Sequence, residues 1–183
     1  MRIVVAHGYR ADPSRHWFPW LVDHYGADTV SVLEFPRPTE PELEEWVDVA
    51  AAGVGTVDEQ TILLGHSLGC VTLLHTLNRL PGPWRLGALV LVSGFVDRLP
   101  NLPKLDPFTE EPLDLDRIRR NTGARQVLRS DDDDTVAPVF TERLAELLDA
   151  PVTVVPNGGH FVDRQGHRSL PALLPILDPL LGR

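Results

Sequence analysis

Three groups of residues set the chemistry that this chain could carry: a serine inside Gly65-His66-Ser67-Leu68-Gly69, a histidine inside Gly158-Gly159-His160-Phe161, and the aspartates Asp131 to Asp134. A serine hydroxyl is a weak nucleophile at neutral pH. It needs a base within hydrogen-bond reach and a carboxylate that orients the base. His160 is the candidate base, and the acidic run supplies the carboxylate. Serine first, then acid, then histidine is one of the chain orders in which such a constellation is assembled. The chemistry would be acyl transfer: Ser67 attacks a carbonyl carbon, His160 takes the proton and returns it to the leaving group, and the acid stabilises the charged imidazole.

The acidic run has to be resolved into roles. Its spacing resembles the acid loop of α/β-hydrolases, where a small residue precedes the acid by three positions and a valine follows it by three. That register places Ser130, Asp133 and Val136 and makes Asp133 the candidate acid, with Asp132 as the alternative. Asp131 and Asp134 read as solvent-facing or turn-capping residues. A divalent cation would need further oxygen ligands close by, and none is patterned here, so no metal or other cofactor is expected. A tetrahedral intermediate also needs two backbone donors aimed at its oxyanion. The amide of Leu68, directly after the nucleophile, is one candidate. The amide of Tyr9, in His7-Gly8-Tyr9-Arg10, is the other, with Gly8 permitting an unusual backbone. His7 reads as a structural side chain.

These residues must be held at the ends of regular elements. Short apolar, β-branched runs lie at 2–6, 29–35, 61–64, 88–93, 124–129 and 152–155, with the near-continuous apolar character of strands covered on both faces. Helical spacing falls between them at 17–25, 41–52, 68–80, 115–121 and 138–148, with a last, proline-interrupted segment at 170–181. This alternation predicts an α/β fold with a mainly parallel sheet of about six strands and helices on both faces. Thr39 and Glu42 have the spacing of a capping box, and Gly53 suits the residue just past a helix. The stretch from Gly94 to Asp114, rich in proline, reads as one long loop and the natural cover for a site.

Gly8, Arg10, Trp17, Phe95 and Phe161 are the candidate pocket residues, with Gly8 and Arg10 in the loop after the first strand and Phe95 and Phe161 at strand ends. Trp17, like His16, Phe18 and Trp20, fits a pocket close to the oxyanion loop or the buried face of the first helix equally well. Cys70 reads as a small buried hydrophobe.

Composition narrows the partners. At 183 residues and 43% hydrophobic, the chain is expected to form a single domain over residues 1–183. Seventeen basic against twenty-six acidic side chains, net charge −9, argue against nucleic acid or an anionic membrane as partner and favour a small acyl substrate. One cysteine excludes an internal disulfide. A first strand close to Met1 and the lack of a long apolar run lead to the expectation of a cytoplasmic protein.

The chain resembles the small serine hydrolases grouped with retinoblastoma-binding protein 9, and above all their bacterial YdeN-like members. The resemblance runs from His7-Gly8-Tyr9-Arg10 and His16-Trp17-Phe18-Pro19-Trp20-Leu21 through Glu44-Glu45-Trp46 and Gly65 to Cys70. It continues through Val92-Ser93-Gly94-Phe95 and Leu105-Asp106-Pro107-Phe108-Thr109 to Asp132-Asp133 and Gly158-Gly159-His160-Phe161. It implies a compact, lidless α/β-hydrolase domain with a triad of Ser67, Asp133 and His160. Pro138 stands one place later than in the YdeN-like pattern, which keeps Asp132 in play. Two function classes follow: a serine hydrolase cleaving a carboxylic ester, amide or thioester, or the same scaffold used as a binding module for a protein partner.

Overall fold

The computed structural model describes residues 1–183. Six strands form one sheet: β1 (Arg2–Ala6), β2 (Val30–Val32), β3 (Thr61–His66), β4 (Leu86–Val92), β5 (Thr122–Ser130) and β6 (Val152–Val155). Every neighbouring pair is parallel, in the order β2-β1-β3-β4-β5-β6. The registers Val4 opposite Leu63, Leu64 opposite Val90 and Val92 opposite Leu128 bring the carboxyl ends of the central strands to one edge.

The alternation of side chains along these strands divides the core in two. Val4, Ala6, Leu63, Leu89, Leu91 and Val127 face α2 (Leu43–Val54), α3 (Leu68–Asn78), α5 (Leu115–Asn121) and α6 (Pro138–Leu148). Ile3, Val5, Ile62, Leu64, Val90, Val92 and Leu128 face α1 (Phe18–Tyr25) and α7 (Leu174–Leu181). The helices that follow β1 and β3, α1 and α3, therefore lie on opposite faces. A crevice opens at the strand ends between β1 and β3, the switch point where open α/β sheets take ligands.

Several local expectations change. Helix α2 starts at Glu42 as N-cap with no side-chain cap, so Thr39 and Glu42 form no capping box. Gly53 lies inside α2, where a Cβ would overlap the Leu33 side chain, and Gly55 at φ 60° ends the helix instead. The 94–114 stretch contains a 3₁₀ turn at Pro103–Leu105 and the short helix α4 at Pro107–Glu110. Leu99, Leu105 and Phe108 are buried in the core, so the stretch is packed scaffolding, and only Asn101 and Leu102 reach the cleft described below. No helix is long and apolar enough to cross a membrane.

Candidate active site

Strand β3 turns into α3 through Ser67, which sits at φ 55°, ψ −121°. A non-glycine residue rarely adopts this conformation, and the turn is held because its flanks permit no other path. A Cβ on Gly65 would lie 2.7 Å from Cys70 Cα, and one on Gly69 would overlap the Ala6 carbonyl. The Ser67 amide donates to Val92 O at 2.9 Å, fastening the turn to β4. The side chain stands at the carboxyl edge of the sheet, nearly buried at 4% exposure.

His160 follows β6 in a tight loop, and its Nε2 lies 3.0 Å from Ser67 Oγ. Its Nδ1 lies 2.8 Å from Asp133 Oδ2. A carboxylate only accepts, so Nδ1 carries the proton and Nε2 is free to accept from the serine hydroxyl. The second oxygen of Asp133 accepts the amides of Thr135 and Val136, each at 2.9 Å, which fixes the carboxylate from behind. Asp132 points elsewhere: its Oδ1 accepts the Gly159 amide at 2.7 Å. Asp131 is not merely solvent-facing, since it accepts the Asn157 amide at 2.7 Å. Ser130 Oγ donates to Gly159 O at 2.5 Å. Ser130 and the three aspartates that follow it thus hold Asn157, Gly159 and His160 in the loop after β6.

The loop after β1 closes the site opposite His160. A Cβ on Gly8 would meet Ser67 Cβ at 2.9 Å and His66 O at 3.1 Å, so only glycine lets the loop approach this closely. His7 is buried, and burial lowers its pKa below the ordinary histidine value. Its neutral ring donates through Nδ1 to Gly8 O at 2.9 Å and accepts the Phe35 amide at Nε2, at 3.3 Å. The Ala11 amide also donates to Gly8 O. Carbonyl and amide point opposite ways across a trans peptide, so pinning the Gly8 carbonyl turns the Tyr9 N–H the other way. That N–H makes no hydrogen bond within the chain. Leu68, as first residue of α3, likewise has no helical carbonyl for its amide. Two unengaged donors flanking Ser67 are what an oxyanion hole requires.

The sequence offered no role for His66 beyond the variable slot of the turn. The structure gives it one: Nε2 donates to the backbone carbonyl of His160 at 2.9 Å. Full burial holds its pKa far below the ordinary value, so the ring stays neutral, with Nδ1 unpartnered. The His160 amide donates to Gln165 Oε1 at 2.8 Å, so His160 is tethered at both backbone groups. The residue type gave no signal for this role.

Ser67 and His160 open onto a cleft of about 480 Å³ whose wall includes Tyr9, Arg10, His16 and Asn101. Three expected pocket residues are elsewhere. Trp17 and Phe161 are fully buried on the α1–α7 side of the sheet and Phe95 on the other, each filling core volume. Phe18 joins Trp17, and only His16 of the aromatic run reaches the cleft. Burial lowers the His16 pKa to about 4, despite Asp163 beside it at 3.5 Å.

Comparison with known proteins gives the family. A family model for serine hydrolases matches residues 3–179. The YdeN protein of Bacillus subtilis is 40% identical over 178 residues, covering 96% of this chain and 94% of its own. Its crystal structure superposes with a TM-score of 0.93 over 100% of this chain and 99% of that one, at 38% identity. Serine hydrolase RBBP9 of Rattus norvegicus is 26% identical over 125 residues, covering 68% of this chain and 65% of its own. Of the two function classes left open by the residues, the enzyme is therefore the one that stands. The chain belongs to the serine hydrolase family and is a hydrolase of the α/β-hydrolase fold.

Proposed function

We propose that this hydrolase cleaves a carboxylic ester through an acyl-enzyme formed on Ser67. The observation that carries the reading is the unbroken line of hydrogen bonds from Asp133 Oδ2 through His160 to Ser67 Oγ, at 2.8 and 3.0 Å. Ser67 Oγ attacks the carbonyl carbon as its proton passes to His160 Nε2. Asp133 keeps the imidazole in the required tautomer and offsets its charge. The Tyr9 and Leu68 amides receive the oxyanion. The imidazolium then protonates the departing alkoxide, and a water repeats the sequence to release the acid.

A serine-directed fluorophosphonate followed by peptide mapping tests this directly. Labelling at Ser67, abolished in Ser67→Ala along with hydrolysis of a short-chain ester, is the expected result. Folded protein that resists the probe, or a Ser67→Ala variant that still turns over ester, would sink the reading.

A further inference from the structure

The wall of the Ser67 cleft is unlike an ordinary small-molecule site. Such sites are lined mainly by apolar and aromatic side chains. Here thirteen residues form the wall, and only Tyr9, Leu102 and Val162 are hydrophobic. Three guanidinium groups, from Arg10, Arg15 and Arg164, gather around one serine in a chain whose net charge is −9. Arg15 is committed, its Nε 3.3 Å from Asp163 Oδ2. Arg10 and Arg164 form no ion pair and no side-chain hydrogen bond, while Arg37 and Arg79 on other surfaces are held by two carboxylates each. The remaining acid of the wall, Asp134, is exposed and accepts from Thr135 Oγ1 at 3.2 Å.

Both free cations stand on stiff mounts tied to the reacting groups. Arg10 adjoins the Tyr9 amide, sits at φ 58°, donates its own amide to Pro38 O at 2.8 Å, and lays its guanidinium over the Tyr9 ring at 4.9 Å. A positive φ at a bulky residue costs energy and persists where the surroundings dictate it. Arg164 lies in the 3₁₀ turn Asp163–Gln165, whose Gln165 side chain holds the His160 amide. The two guanidiniums therefore approach the cleft from the oxyanion side and from the base side. A neutral acyl chain leaves both without a partner. A carboxylate on the acyl chain would give each a charge-assisted hydrogen bond, in the fork geometry that arginine favours.

We propose that the substrate is an ester whose acyl part ends in a carboxylate, recognised by Arg10 and Arg164. This rests on the reading of Ser67 as the nucleophile. The test compares monoethyl glutarate with ethyl valerate, which has a methyl group where the first has a carboxylate, by acid release at constant pH. The expected ratio of kcat/KM is at least about tenfold in favour of the glutarate ester, carried by KM. The ratio should fall towards one in the double variant Arg10→Gln, Arg164→Gln, and in wild-type protein at high salt. Should the double variant fail to fold, the wild-type ratio and its salt dependence decide alone. Equal or better turnover of ethyl valerate, or a ratio unmoved by both the double substitution and salt, overturns the proposal. If Ser67 labels with fluorophosphonate and ethyl valerate is hydrolysed without preference, only the carboxylate assignment falls. If Ser67 does not label and neither ester is cleaved, the ester-hydrolase reading falls with it.

Discussion

Replacing Asp133 by asparagine isolates what its charge and shape do. Oδ1 of Asp133 accepts two backbone amides, and an asparagine carbonyl can keep both. The position of Oδ2, 2.8 Å from His160 Nδ1, would then hold an NH₂ group. A donor there turns Nδ1 into an acceptor and moves the ring proton to Nε2, where it faces Ser67 Oγ at 3.0 Å. The base can no longer take the serine proton. Loss of the correct tautomer in triads of this kind costs about 10⁴ in kcat, or about 5 kcal/mol of barrier. Because the loop bonds survive, the melting temperature should move by only a few degrees, the shift that about 1 kcal/mol produces in a chain of this size. Asp132→Asn is the internal control. Its Oδ1 receives the Gly159 amide, which an asparagine oxygen accepts equally well, so kcat should stay within about tenfold of wild type. Kinetics on one short-chain ester, with thermal unfolding of each variant, decide it. The reasoning fails if Asp132→Asn loses as much as Asp133→Asn, or if Asp133→Asn keeps a tenth of the activity.

Two further outcomes follow from the loop after β1 and from the buried histidines. Gly8→Ala pushes a methyl group against Ser67 Cβ and His66 O, so the loop must retreat and carry the Tyr9 amide with it; kcat should fall about 10²-fold or more in steady-state assays, and unchanged turnover would contradict the oxyanion assignment. His7, His16, His66 and His75 all have pKa values lowered in the fold by burial, so the unfolded chain binds protons that the native state does not. Their contribution is complete above about 6.5 and is lost as pH falls from there towards the His16 value of about 4. Denaturant midpoints should therefore decline across that window, and midpoints flat from pH 7 to pH 5 would be inconsistent with neutral buried histidines.

Much of the framework was legible because strand periodicity and turn chemistry are local. Strands β1 and β6 and helices α5 and α6 fall on the residues that their patterns predict. Ser67, His160 and the acidic run could be read as a set because each stands at a strand end, whereas the choice of Asp133, with Asp132 as the alternative, rested on the run's resemblance to the α/β-hydrolase acid loop. The aromatic residues were another matter. Trp17, Phe95 and Phe161 lie beside the site in sequence, yet the choice between cleft and core depends on which way one backbone step turns. Phe161 shows this best, since φ 54° swings its ring under the sheet. Thr39 and Glu42 have capping-box spacing but α2 begins only after Glu42, with no side-chain cap, and Gly53 is kept inside the helix, where it makes room for Leu33. The role of His66 had no signature at all, because its partner is a backbone carbonyl 94 residues away.

The grip of Ser130 to Asp133 on Asn157, Gly159 and His160 has a dynamic consequence. Loops ordinarily open independently, each with its own small free energy. Here the segment bearing the acid cannot lift without breaking bonds to Asn157, Gly159 and His160 at once. The two loops form one cooperative unit. Asp133 and His160 are therefore expected to leave Ser67 together or stay together.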